Sequence, residues 1–164
     1  MESAKTVLSR TFSVLVENKF GVLARIATLF AARGFNIDSL AVGKTEDPAL
    51  SRMTIVANGD ARVLEQVEKQ LNKLVDVMKV TSFDAMPHLE RDLALIKVKA
   101  DKKSRSEIFQ IVDIFRAKIV DVATDSLIVE MTGDEDKIQA LETLLRPFGI
   151  LEMARTGIIA MGRG

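Results

Sequence analysis

The chain has 164 residues, 48% of them apolar, which is enough for one ordinary domain or two small ones and too apolar for disorder over most of its length. Its 23 basic and 23 acidic side chains cancel, so no global field draws in nucleic acid or an anionic membrane. The absence of cysteine excludes disulfides, thiolate nucleophiles and zinc–sulfur sites together.

The opening MESAKTVLSR lacks the apolar stretch of a secretory signal, and no apolar run approaches the roughly 20 residues of a membrane-spanning helix. A soluble, cytoplasmic protein is expected. Residues 11–17, TFSVLVE, alternate Phe12, Val14 and Val16 on one face and predict a half-buried strand. In the next segment Val22, Ile26, Leu29 and Phe30 recur at helical spacing, and Gly34 supplies the stop. The stretch FNIDSLAV predicts a second strand, and RMTIVAN a third with Met53, Ile55 and Ala57 inward. Asp60 is a good N-cap for a helix with Val63, Leu64, Val67 and Leu71 on one stripe, and a fourth strand is expected over about 75–83. The order is βαββαβ.

The same order returns. Ala94, Ile96, Val98 and Ala100 alternate in a strand, and Ser104 with Glu107 forms a capping-box signature before Ile108, Ile111, Val112 and Phe115. Strands around IVDVA and LIVEM follow. Gly133–Asp134 then repeats Gly59–Asp60, which aligns Leu64, Val67, Leu71 and Leu74 with Ile138, Leu141, Leu145 and Phe148. A last strand is expected over about 150–161, with the glycines at 157, 162 and 164 read as a frayed tail. The fold class is therefore α+β, with two tandem ferredoxin-like βαββαβ domains at 5–86 and 87–164. Periodicity alone also fits one intertwined domain; the closure of each half on itself favours two.

Chemistry is hard to find. His88, the single histidine, falls beside Pro87 in the expected linker and has no clustered partners. Glu46–Asp47 and Asp134–Glu135–Asp136 sit at a turn and a helix start, where solvation and the helix dipole account for them. There is no phosphate-binding glycine loop. Aromatics are 5% and all phenylalanine, which removes the base-stacking platform an RNA-binding sheet would need. No metal site or nucleic-acid partner is expected.

The informative segment is the first strand–helix junction, Glu17-Asn18-Lys19-Phe20-Gly21-Val22-Leu23. An open helix start offers convergent N–H donors to a carboxylate. Asn18 brings an amide, Gly21 permits close approach to the backbone, and Val22 and Leu23 add N–H groups and apolar walls. Past the helix, Asn36 and Ile37 supply a second amide and a second apolar residue. The plainer reading makes Asn18 a cap and Gly21 a relaxed turn.

The N-x-x-G-V-L motif at this junction, inside βαββαβ, resembles the ACT domain, an amino-acid-binding regulatory module. The longer stretches SVLVENKFGVLARIATLFAARGFNIDSLAVGKTEDPALSRMTI and VLEQVEKQLNKLVDVMKV, with IVDV and EMARTG, resemble the small regulatory subunits of acetolactate synthase over essentially the whole chain. The resemblance implies a homodimer built through the N-terminal ACT domains, with valine or a related branched-chain amino acid at the two-fold interface. Asn18, Gly21, Val22 and Leu23 would come from one copy, and Asn36 and Ile37 from the other; Lys19 and Phe20 fall at variable positions. The C-terminal half opens its helix with Asp101-Lys102-Lys103-Ser104 instead, which argues against a second such site and leaves it to hold or activate the large catalytic subunit. The implied chain has no catalytic residues and no cofactor of its own. Thiamine diphosphate, magnesium and FAD are expected in the catalytic partner, which the small subunit activates and, with valine bound, inhibits. A stand-alone sensor acting on another enzyme or a transcription factor is the alternative.

Overall fold

The computed structural model describes residues 6–164; residue 5, the expected start of the first domain, lies outside them. The backbone divides into two compact units. One runs to Leu89 and takes in Ile159–Gly164, and the other is Glu90–Ile158.

The first unit contains β1 (Leu8–Glu17), α1 (Val22–Arg33), β2 (Asn36–Lys44), β3 (Leu50–Gly59), α2 (Ala61–Asn72) and β4 (Val77–Ser82). The strands form an antiparallel sheet in the order β2-β3-β1-β4, so β2 and β4 are the edges of this path. Strand alternation aims Phe12, Val14, Val16, Met53, Ile55 and Ala57 at Val22, Ile26 and Phe30 of α1 and Leu64, Val67 and Leu71 of α2. This is the core that the two periodicities predict. The edge strand β2 carries a register shift between Ile37 and Ser39.

The second unit repeats the plan. It contains most of β5 (His88–Lys99), then α3 (Arg105–Ile114), β6 (Lys118–Val122), β7 (Ser126–Gly133), α4 (Glu135–Leu145) and β8 (Ile150–Arg155). Its antiparallel order is β6-β7-β5-β8. Ala94, Ile96, Val98, Leu127, Val129 and Met131 pack against Ile108, Val112, Ile138, Leu141 and Leu145. The molecule is thus α+β, with two βαββαβ units.

The helix starts explain why the halves look alike. Asp60 accepts the Val63 N–H at 2.9 Å, and Asp134 accepts the Lys137 N–H at 2.9 Å. The glycine before the first aspartate has a packing reason: a Cβ on Gly59 would lie 2.7 Å from Val63 Cγ1 and 2.9 Å from Val63 Cβ.

Three expectations are corrected. Ser104 does not form the capping box, because Asp101 takes the role: its Oδ1 accepts the N–H groups of Lys103 (2.9 Å) and Ser104 (2.8 Å). The Ser104 hydroxyl instead accepts the Asp101 N–H at 3.0 Å. The last strand is not continuous, since Gly157 at φ 93° breaks it after Arg155. The glycine-bearing tail is not frayed. It forms β9 (Ile159–Gly162), which pairs with β5, and beside it the Arg163 N–H donates to Pro87 O at 3.0 Å. His88 is the first residue of β5; its Nδ1 lies 2.9 Å from Met86 O and its ring stacks on Phe83 at 4.8 Å.

Candidate functional site

The mouth of α1 differs from the other helix starts. Its N-cap is Gly21 at φ 84°, ψ −6°, with no side chain capping the helix and no acidic residue in the first turn. The first intrahelical bond runs from the Arg25 N–H to Gly21 O at 2.9 Å, so the N–H groups just before it have no partner within the helix. These groups carry the positive end of the helix dipole.

Asn18 does not cap this helix. Its N–H donates to Ala49 O at 2.8 Å and its Nδ2 to Pro48 O at 3.2 Å, which ties the junction to the turn before β3. The side-chain oxygen Oδ1 is the end of that amide left for a ligand ammonium. Gly21 and Leu23 are exposed, whereas Val22 is buried in the core. What Val22 can offer a ligand is therefore its N–H, and the apolar wall falls to Leu23 and the fully exposed Phe20.

Charged residues ring the same mouth. Glu17 donates its N–H to Asp76 O at 3.0 Å and pairs through its carboxylate with Lys19 Nζ at 2.7 Å. That contact holds the Lys19 pKa above its ordinary value. Arg25, one turn into the helix, donates from Nε to Asp76 Oδ2 at 2.7 Å. Two cations and two carboxylates around an open helix start suit a small zwitterion better than a simple anion or cation.

The structure brings Asn18, Gly21, Val22 and Leu23 together, but not Asn36 and Ile37. Those begin β2, beyond the far end of a 12-residue helix. At 1.5 Å per residue the two sets are about 18 Å apart, several times the reach of a free amino acid. Within one copy the two sets stand apart.

Sequence reading missed Arg25 and Asp76 here. It also missed a second cluster in the other unit, where Asp92, with its side chain 1% exposed, accepts Nε (2.8 Å) and Nη2 (2.6 Å) of Arg155. Arg155 also pairs with Glu135 across its Nη1 (3.3 Å) and Nη2, and the Thr156 hydroxyl donates to Asp92 Oδ1 at 3.1 Å. These contacts raise the Arg155 pKa further above its already high value, Glu135 contributing most. Arg155 and Thr156 lie in the EMARTG stretch, the only sequence signal that pointed there.

A βαββαβ unit with an open helix start and a neighbouring edge strand defines an ACT-type domain, and residues 12–79 match the family described as AHAS small subunit-like ACT domain. Residues 91–164 match the family described as small subunit of acetolactate synthase. The chain is 57% identical over 157 residues to a probable acetolactate synthase small subunit of Archaeoglobus fulgidus, covering 96% of this chain and 98% of the relative. It is 53% identical over 158 residues to the acetolactate synthase small subunit of Aquifex aeolicus, covering 96% and 82%. Among solved structures, the acetolactate synthase small subunit of Thermotoga maritima superposes with a TM-score of 0.87 at 49% identity, over 96% of this chain and 98% of that one. The chain belongs to the acetolactate synthase small-subunit family.

Proposed function

We propose that the chain is a non-catalytic regulatory subunit that binds valine, or a related branched-chain amino acid, between two copies of its N-terminal unit and thereby sets the activity of a separate acetolactate synthase catalytic subunit. The observation that carries this reading is the uncapped mouth of α1, with Gly21 left-handed and Val22 and Leu23 presenting N–H groups, in a member of this family. The effector's carboxylate takes the helix N–H groups, its ammonium takes Asn18 Oδ1, and its side chain rests on Leu23. Two copies pairing along the edge strand β2 bring the partner's Asn36 and the partner's Ile37 to the same effector. A ligand held by both copies reports on their relative placement, and differential binding to two such placements is what allosteric coupling requires, typically about 1–3 kcal/mol.

The second unit lacks an equivalent mouth: α3 opens from Ser104 in the ordinary right-handed conformation with Glu107 in its first turn, and α4 is capped by Asp134. To this unit we assign contact with, and activation of, the catalytic subunit, where thiamine diphosphate, magnesium and FAD reside. A cysteine-free chain suits the reducing cytoplasm, where the complex is placed. Two measurements test the reading. A thermal-shift screen of the purified chain against the standard amino acids should single out valine, isoleucine or leucine as raising Tm. The tagged chain should co-purify with a thiamine-dependent large subunit whose activity rises on binding and falls again with the effector. No thermal shift with any branched-chain amino acid would overturn the effector, and capture of a different enzyme or a transcription factor would overturn the partner.

A further inference from the structure

Resting on the effector site just proposed, we infer that Arg25 is a further ligand-binding residue: its Nη1 takes one oxygen of the effector's carboxylate, and Asp76 is the positioning residue that holds the guanidinium there. Helical side chains lean toward the N-terminus, so a residue four places after Gly21 reaches back over the mouth of its own helix. The geometry agrees: Nη1 lies 3.3 Å from where a Cβ on Gly21 would stand. That puts it over the glycine from which the helix opens.

The guanidinium is split in its duties. Nε and Nη2 both go to Asp76 Oδ2, and Nη1 has no hydrogen-bond partner among the described residues. A cation at the positive end of a helix dipole is unfavourable by itself, and Lys19 adds a second positive charge within electrostatic reach. Glu17 offsets Lys19 and Asp76 offsets one edge of Arg25, which leaves Nη1 and the helix N–H groups for an incoming carboxylate. An arginine clamped along one edge and open along the other is also pre-organised, so little side-chain entropy is lost when the ligand arrives. Asp76 lies in the turn before β4 and also accepts the Glu17 N–H on its backbone carbonyl, so the clamp is fixed at two points.

The test compares valine with valinamide, which keeps the ammonium and side chain but loses the carboxylate charge. In calorimetric titrations of the full chain, Arg25→Gln should weaken valine by about tenfold or more, the loss expected for a charge-assisted hydrogen bond, and leave valinamide within about twofold. Asp76→Asn should lower the same valine-to-valinamide ratio by a smaller factor, and Arg25→Lys should recover part of it. Equal weakening of both ligands by Arg25→Gln would mark a structural role and overturn the inference. So would unchanged valine affinity in Arg25→Gln when Gly21→Asp still abolishes binding, an outcome that leaves the site itself standing. If valine binds Gly21→Asp and Asn36→Ala as it binds the natural sequence, the site reading fails first, and the inference with it.

Discussion

Arg155 and Asp92 stand 63 positions apart, yet two guanidinium nitrogens, Nε at 2.8 Å and Nη2 at 2.6 Å, converge on one carboxylate oxygen of an almost fully enclosed Asp92. Thr156 completes the arrangement from the next position: its hydroxyl donates to the other oxygen and accepts the Leu93 N–H at 3.1 Å, while its own N–H donates to Leu93 O at 3.0 Å. The cluster ties β5 to β8 and, through Glu135, to the start of α4.

Removing one member of that pair should cost far more than removing both. Arg155→Met leaves a buried carboxylate unpaired and should destabilise the chain by about 3 kcal/mol, measured as a lower urea midpoint. Adding Asp92→Asn should recover much of the loss. An unchanged midpoint in Arg155→Met would show that the pair contributes nothing net.

Asp101 makes a pH-dependent contribution whose sign follows from its bonds. The Ser104 N–H, first among its donors, holds the Asp101 carboxyl below the ordinary value of 3.8. A depressed carboxyl stabilises the fold above its unfolded pKa, and the contribution is lost as pH falls through the lower, folded value. Asp101→Ala should therefore lower Tm near neutral pH, with the gap closing below about pH 3.8. A gap that stays constant into acid would contradict this account of the α3 start.

Much of this architecture was legible in the sequence because its determinants are local. The i, i+2 alternation of Phe12, Val14 and Val16, the i, i+3 and i, i+4 stripes of both helices in each unit, and the paired Gly-Asp starts each need only a few consecutive residues. What escaped was decided by partners far along the chain or by one backbone angle. The Ser104 box looked complete on spacing, but Asp101 takes the Ser104 N–H that Glu107 would accept, and the Ser104 hydroxyl turns back to the Asp101 N–H. Nothing near Gly157 announced its left-handed turn, so two strands were read as one. At the site, Gly21 stood out by its motif, whereas Arg25 gained meaning only when Asp76, 51 positions away, was seen to hold it. Val22 was expected to wall the pocket, but the same stripe that builds α1 turns its side chain into the core.

Substitution at the helix mouth should separate binding from folding. Gly21→Asp places a carboxylate against the effector's own and a Cβ 3.3 Å from Arg25, and should abolish valine inhibition while activation of the catalytic subunit survives. The left-handed φ of 84° adds a backbone cost of about 1 kcal/mol for most side chains. Gly21→Asn tolerates that conformation without adding charge, so it is the control and should retain measurable inhibition. Asn36→Ala should weaken valine without moving Tm, because its side chain is exposed at the start of β2. Full valine inhibition in Gly21→Asp would place the effector elsewhere.

The most direct test follows the amide resonances of the full-length, isotope-labelled chain as valine is added. The largest shifts should fall on the N–H groups of Gly21, Val22 and Leu23 and, in the same titration and with the same affinity, on Asn36 and Ile37 at the opposite end of α1. Shifts confined to one of these groups, or centred in the second unit, would contradict a single effector shared between two copies.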